Sequence, residues 1–296
     1  MSTSHSPDRA RPPAPGPRAF DPAAGPSPAF GFPEGPKLNP VHFDDIKAAL
    51  REGLEDFLAA PLYGLVFSGI YVVGGLFMLA CLALWDTIWA ILPLVIAFPL
   101  AGPFLAVGLY EVSRRRSAGL PLRGSAIFGV IWRQRDRELA WMSFVTLFIF
   151  WLWAYQVRIL LALFLGFNAT FASWAGFAEA VLTTQNGLLF LAVGTVIGAV
   201  ISLGLFSITV ISLPLLVDRD LDIITAIASS VAVVRRNPGP MLTFGCTVAG
   251  LTLLALAPAF LGLFLVFPVL GHATWRLYSR AVAPGAGGGQ PAVSSA

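Results

Sequence analysis

From Leu62 to Leu84 the chain carries no charged residue, and runs of similar apolar character recur at about 88–112, 140–165, 187–217, 241–257 and 259–280. A hydrocarbon slab of roughly 30 Å takes about 20 helical residues to cross, and each crossing segment must satisfy its own backbone polar groups. The pattern therefore predicts an all-α integral membrane protein with six transmembrane helices. The last apolar stretch, 241–280, would make about 60 Å of helix, so it predicts two spans with Pro258 at the turn.

A different period precedes the first run. Ile46, Leu50, Leu54 and Phe57 recur at three- and four-residue spacing, with Asp45, Lys47, Arg51, Glu52, Glu55 and Asp56 on the other faces. This predicts an amphipathic helix over 44–60, with Asp44 as its N-cap. It holds more acid than base, which suits packing beneath the bundle better than binding to anionic lipid.

The same arrangement returns later in the chain. Asp45-Ile46 lies sixteen residues before Pro61, and Asp222-Ile223 lies sixteen before Pro238. The stripe Ile46, Leu50, Leu54, Phe57 maps at the same offset onto Ile223, Ile227, Val231 and Val234. Phe98-Pro99-Leu100, Leu213-Pro214-Leu215 and Phe267-Pro268-Val269 each fall in a returning span. Together with a middle amphipathic segment at 120–138, these predict three parallel repeats, each a cytoplasmic amphipathic helix and a two-span hairpin. Pro99, Pro214 and Pro268 are the expected kinks. Gly194, Gly198 and Ser202, four apart, suit close helix packing.

Composition agrees with lipid as the solvent: 56% of residues are hydrophobic and 12% charged, against about a quarter charged in soluble domains. Net charge is only +3, but its placement is informative. Of nineteen Lys and Arg, all but Arg158 fall in the N-terminal region, the 113–137 loop, the loop around Arg219 to Arg236, or the C-terminal segment. The turns near Asp86, Glu179 and Pro258 hold none, which predicts both termini in the cytoplasm. The Pro/Ala-rich residues 1–40 and the 283–296 segment read as disordered tails flanking a 41–282 membrane domain. The basic balance reports topology and not nucleic acid. Arg114, Arg115, Arg116, Arg235, Arg236, His272, Trp275 and Arg276 are the candidate contacts for lipid headgroups or a protein partner at the cytoplasmic face.

Catalytic signatures are missing: the chain has no HExxH, Walker A, GxSxG at a strand-to-helix turn, or CxxC. Cys81 and Cys246 lie in apolar runs and read as packing residues. Among three histidines only His272 sits within a span, with no second ligand in sight, so no cofactor is predicted.

The runs Leu213-Pro-Leu-Leu-Val-Asp-Arg-Asp220, Arg235-Arg-Asn-Pro-Gly-Pro240 and Phe267-Pro-Val-Leu-Gly-His-Ala-Thr-Trp-Arg-Leu-Tyr278 resemble an uncharacterised family, the domain of unknown function 2189. The resemblance runs from about Pro40 to Val282 and implies a multi-pass inner-membrane protein of a bacterium. It brings no activity or site residue. Three roles remain open: a non-enzymatic assembly, scaffold or envelope-maintenance factor, a channel or carrier for a small or amphipathic solute, and a haem-binding respiratory accessory protein.

Overall fold

A computed structural model describes residues 35–84, 92–134, 138–167 and 174–284, and among these it forms eleven α-helices and no strand. They are α1 (Phe43–Ala59), α2 (Pro61–Leu84), α3 (Leu92–Ser117), α4 (Gly124–Gln134), α5 (Glu138–Leu165), α6 (Trp174–Thr183), α7 (Gln185–Thr209), α8 (Ser212–Asp218), α9 (Ile223–Arg236), α10 (Pro238–Leu256) and α11 (Leu263–Ala281). Both tails fall mostly outside the described residues, as do Asp86 and the start of the second run at 88–91. The tail predicted over 1–40 is, from Lys37 on, part of the packed structure: Asn39 N–H donates to Ala281 O (2.9 Å) and Ala283 N–H to Lys37 O (2.9 Å).

Among the described residues, five helices are long and apolar enough to cross a membrane: Pro61–Cys81, Leu94–Ser117, Glu138–Leu165, Gln185–Asp218 and Pro238–Leu256. The predicted sixth span, α11, is not among them. It has nineteen residues and includes His272, Arg276 and Arg280. The loop after α5 also differs from expectation, because α6 folds back on α7 there. Thr184 ends that turn as the N-cap of α7, its hydroxyl accepting from Gly187 N–H at 3.0 Å.

Helix α1 starts one residue earlier than its periodicity indicates. His42 is the N-cap, and its N–H donates to the Asp45 carboxylate (2.8 Å). The face that α1 buries is also rotated from the predicted stripe: Ile46, Ala49, Gly53, Asp56 and Phe57 are buried, while Leu54 is exposed. The cause is a close crossing with α11. A Cβ on Gly53 would stand 2.7 Å from Ala273 N, so the small residues Ala49 and Gly53 set the contact.

Helix α9 buries the corresponding positions Ala226, Ser230 and Val233. It ends as α1 does, with Asn237 (φ −130, ψ 56) where α1 has Ala60 (φ −143, ψ 53), each followed by a proline that opens the next helix.

Pro99 and Pro103 lie inside α3 and Pro268 inside α11, and both helices continue through them. At Pro214 the helix breaks, and α8 begins after Val210 and Ile211. Proline removes an N–H and clashes with the carbonyl four residues back, so the ladder opens there. Ser230 of α9 closes the gap: its buried hydroxyl donates to Ser207 O (2.7 Å) and accepts from Ile211 N–H (3.1 Å).

Helices α5 and α7 pair antiparallel, with Gly194 against Leu160 and Gly198 against Trp153. Helix α11 packs on α1, α2 and α3 and forms a hairpin with α10.

Candidate functional site

Two features stand out, a charged hub and an apolar cavity, and α11 contributes to both.

The hub centres on Asp56, which α1 buries to 1% exposure. Arg276 of α11 grips it with two bonds, Nε to Oδ2 (2.8 Å) and Nη2 to Oδ1 (2.7 Å). From α3, Arg116 Nε donates to Oδ1 (2.8 Å) and Ser113 Oγ donates to Oδ2 (2.7 Å). Burial alone would raise the Asp56 pKa, but the hydrogen bonds from Arg276 and Ser113 and the nearby positive charge more than offset it. The carboxyl is held below its ordinary value and stays ionised. One turn away, Arg280 of α11 donates to Glu52 of α1. Glu111, equally buried on α3, is forked by Arg114 (2.7 and 2.9 Å) and bonded by Arg115 (2.7 Å).

Ser113 Oγ also lies 2.8 Å from His272 Nδ1. A hydroxyl has one hydrogen, so if Ser113 gives it to Asp56, the imidazole donates Nδ1–H to Oγ and Nε2 is left bare. That nitrogen is buried without a partner. The order Asp–Ser–His places the serine in the middle, unlike a nucleophile triad, where histidine bridges. All three residues are buried and none lines the cavity described next.

The cavity occupies about 440 Å³ between α2, α3, α10 and α11. Its wall is made by Tyr71, Phe98, Leu109, Phe260, Phe267 and Leu270, with Thr252 and Thr274 as small polar points. The Tyr71 hydroxyl is already committed to Phe98 O (3.0 Å). A pocket of this size and lining accepts hydrocarbon and gives it little polar recognition.

The predicted contact residues separate into two groups. Arg114, Arg115, Arg116 and Arg276 are engaged inside the protein, as is His272, and Trp275 is buried between the rings of Tyr110 and Tyr278 (centroids 6.2 and 5.3 Å). Arg235 and Arg236 are exposed at the end of α9, where with Ala232 they line a groove of about 310 Å³. The hydroxyls of Ser207, Thr209 and Thr247 donate to carbonyls four residues back in their own helices.

The family comparison agrees with helices of this length and apolarity. Residues 91–218 match the family model Predicted integral membrane protein (DUF2189). The DUF2189 segment runs from α3 through α8 and contains the Arg114 to Arg116 cluster, Ser113 and the Leu213-Pro214-Leu215 motif. The α1 and α11 halves of the hub lie outside it. No curated protein and no solved structure matches the chain.

Proposed function

We propose that this integral membrane protein is non-enzymatic and that its bundle holds the hydrocarbon part of an amphipathic, lipid-like molecule, as a carrier or store. The observation that carries this reading is the 440 Å³ cavity, whose lining is almost wholly apolar. Its walls belong mostly to helices apolar enough to cross a membrane, so its natural occupant is an acyl or isoprenoid chain. The basic residues on one side of the spans, and the pairing of Leu38 with Val282, support both chain ends in the cytoplasm of a bacterium and the bundle in its plasma membrane. The matching ends of α1 and α9 support the first and third of the three hairpin units as repeats in one orientation.

Native mass spectrometry after extraction in a mild detergent tests the holding role. The wild-type protein should retain bound lipid, and Thr252→Phe and Ala106→Phe, which fill the cavity from opposite walls, should each shed it while unfolding at an unchanged temperature. Equal lipid retention in wild type and both variants would sink the reading.

A second reading, a scaffold or assembly factor with an acidic partner, is favoured by the exposed Arg235 and Arg236 alone. Haem binding gains no support, because the His272 ring is fully enclosed.

A further inference from the structure

The start of α1 and the end of α11 lie together, joined by the antiparallel Leu38–Val282 bridge and the backbone bonds beside it. Because Leu38 and Val282 meet on one face, the stretch between them crosses the bilayer an even number of times. Five of the described helices are apolar enough to cross, so one of them must fail to do so or α11 must join them.

Lengths distinguish the two cases. Helices α2, α3, α5 and α7 have 24, 26, 28 and 25 residues, whereas α10 and α11 have 19 each. Part of that shorter length is spent outside the hydrocarbon. Arg276 and Arg280 tie the end of α11 to Asp56 and Glu52 of amphipathic α1, and Gly239 at the start of α10 lies against Phe43 at the start of α1. From Arg276 back to Gly262 at the hairpin tip is about 21 Å of helical rise, short of the roughly 30 Å required.

Contacts at the tip give the same depth. The Phe260 ring rests on Gly75 of α2, and Leu263 packs with Val72. Gly75 precedes the end of α2 at Leu84 by about 13 Å of rise. The turn is sharp, with Ala259 (φ 52) and Phe260 (φ 68) both left-handed, and Gly262 lies against the Ala255 backbone. Irregular backbone at mid-membrane depth persists where protein or a cavity surrounds it. Leu256, Phe260 and Leu263, on both sides of this turn, line the cavity.

We propose that α10 and α11 form a re-entrant hairpin, which enters and leaves the bilayer on the side of the chain ends, so that the cavity beneath its tip takes a hydrocarbon chain from the lipid leaflet on that side. The membrane domain then has four complete crossings and one hairpin that stops short of the far side, instead of six crossings. The leaflet assignment rests on the lipid-holding reading, but the hairpin itself does not.

The test is a nitroxide at Leu261→Cys, an exposed tip position, in a Cys81→Ala, Cys246→Ala background reconstituted in phospholipid vesicles. Glu179→Cys on α6 marks the far surface. The hairpin predicts that Leu261→Cys is quenched by oxygen and protected from a water-soluble nickel chelate, while Glu179→Cys shows the reverse. Chelate access at Leu261→Cys as high as at Glu179→Cys would overturn it, because the tip would then have crossed. Loss of co-purifying lipid with the tip still at mid-depth would remove the lipid reading and leave the hairpin standing. Because a label could disturb the tip, Gly250→Cys on α10, beside open space, is measured as well, and its depth should lie between the tip and the chain-end surface.

Discussion

The hub around Asp56 and the α5–α7 hairpin use side chains in opposite ways. In the hub two carboxylates, Asp56 and Glu111, are 1% exposed, while on α5 Phe148 is 61% exposed and on α7 Val200 is 65% exposed. The most hydrophobic stretch of α7 buries none of its residues inside the protein, against 44% for that of α3. In water this would be an inverted protein. Against lipid it is coherent: α5 and α7 need no cover because hydrocarbon is their solvent, and packing is concentrated where α1, α3 and α11 meet at the charged end. Exposure alone therefore does not say what a residue tolerates, since the solvent on each side decides it.

The largest effect is expected in the hub. Asp56→Ala leaves Arg276 and Arg116 facing each other without their shared carboxylate, and removing one partner of a buried pair costs roughly 3–5 kcal/mol. Thermal unfolding in detergent should show it, and Asp56→Leu combined with Arg276→Met should recover part of the loss. Protonation makes the same cut reversibly. The Asp56 pKa is depressed in the folded protein, so its stabilisation is complete above the unfolded carboxyl value and is lost as pH falls through the folded one. Wild type should therefore lose stability on acidification more steeply than the double variant does.

Next comes Phe148→Arg, in the lipid-facing middle of α5, where a charge costs about 2.5–3.5 kcal/mol of insertion. Glycosylation-reporter or protease-protection measurements of span insertion would detect it. Ser230→Ala leaves Ile211 N–H and Ser207 O without the hydroxyl that joins them, at about 1–3 kcal/mol, read by thermal unfolding. Smallest is Leu58→Arg: this side chain is 65% exposed, as Phe148 nearly is, but sits on amphipathic α1 outside the spans, so the change should stay within about 0.5 kcal/mol. A Leu58→Arg penalty matching that of Phe148→Arg would erase the contrast.

The membrane spans were legible because a run of twenty apolar residues has one reading in lipid. The amphipathic helices were legible from period alone, and the proline that opens α2 and α10 marked their ends. The hub was not. Its carboxylate sits on the face of Ala49 and Gly53, and a count of large apolar residues favours the neighbouring stripe through Leu50 and Leu54. The spacing Ala49, Gly53, Asp56 held the signal, since small residues mark the line along which α11 approaches, and a carboxylate on that line needs a cation.

Ser113 gave no sign, as a serine beside three arginines reads as the polar end of a span. Arg114, Arg115, Arg116 and Arg276 were found without their carboxylate partners, because sequence cannot tell a cation turned toward headgroups from one turned toward Asp56 or Glu111. The short reach of α10–α11 was hidden for a related reason: apolar length was visible, while the depth at which the hairpin begins depends on what α1 holds.

The contrast between the two regions is tested most directly by thiol accessibility at Leu58→Cys and Phe148→Cys, in a Cys81→Ala, Cys246→Ala background, with a membrane-impermeant maleimide on opened membranes. The account predicts rapid labelling of Leu58→Cys and none of Phe148→Cys until the bilayer is dissolved and the protein unfolded. Labelling of Phe148→Cys as fast as Leu58→Cys, in intact bilayers, would contradict it.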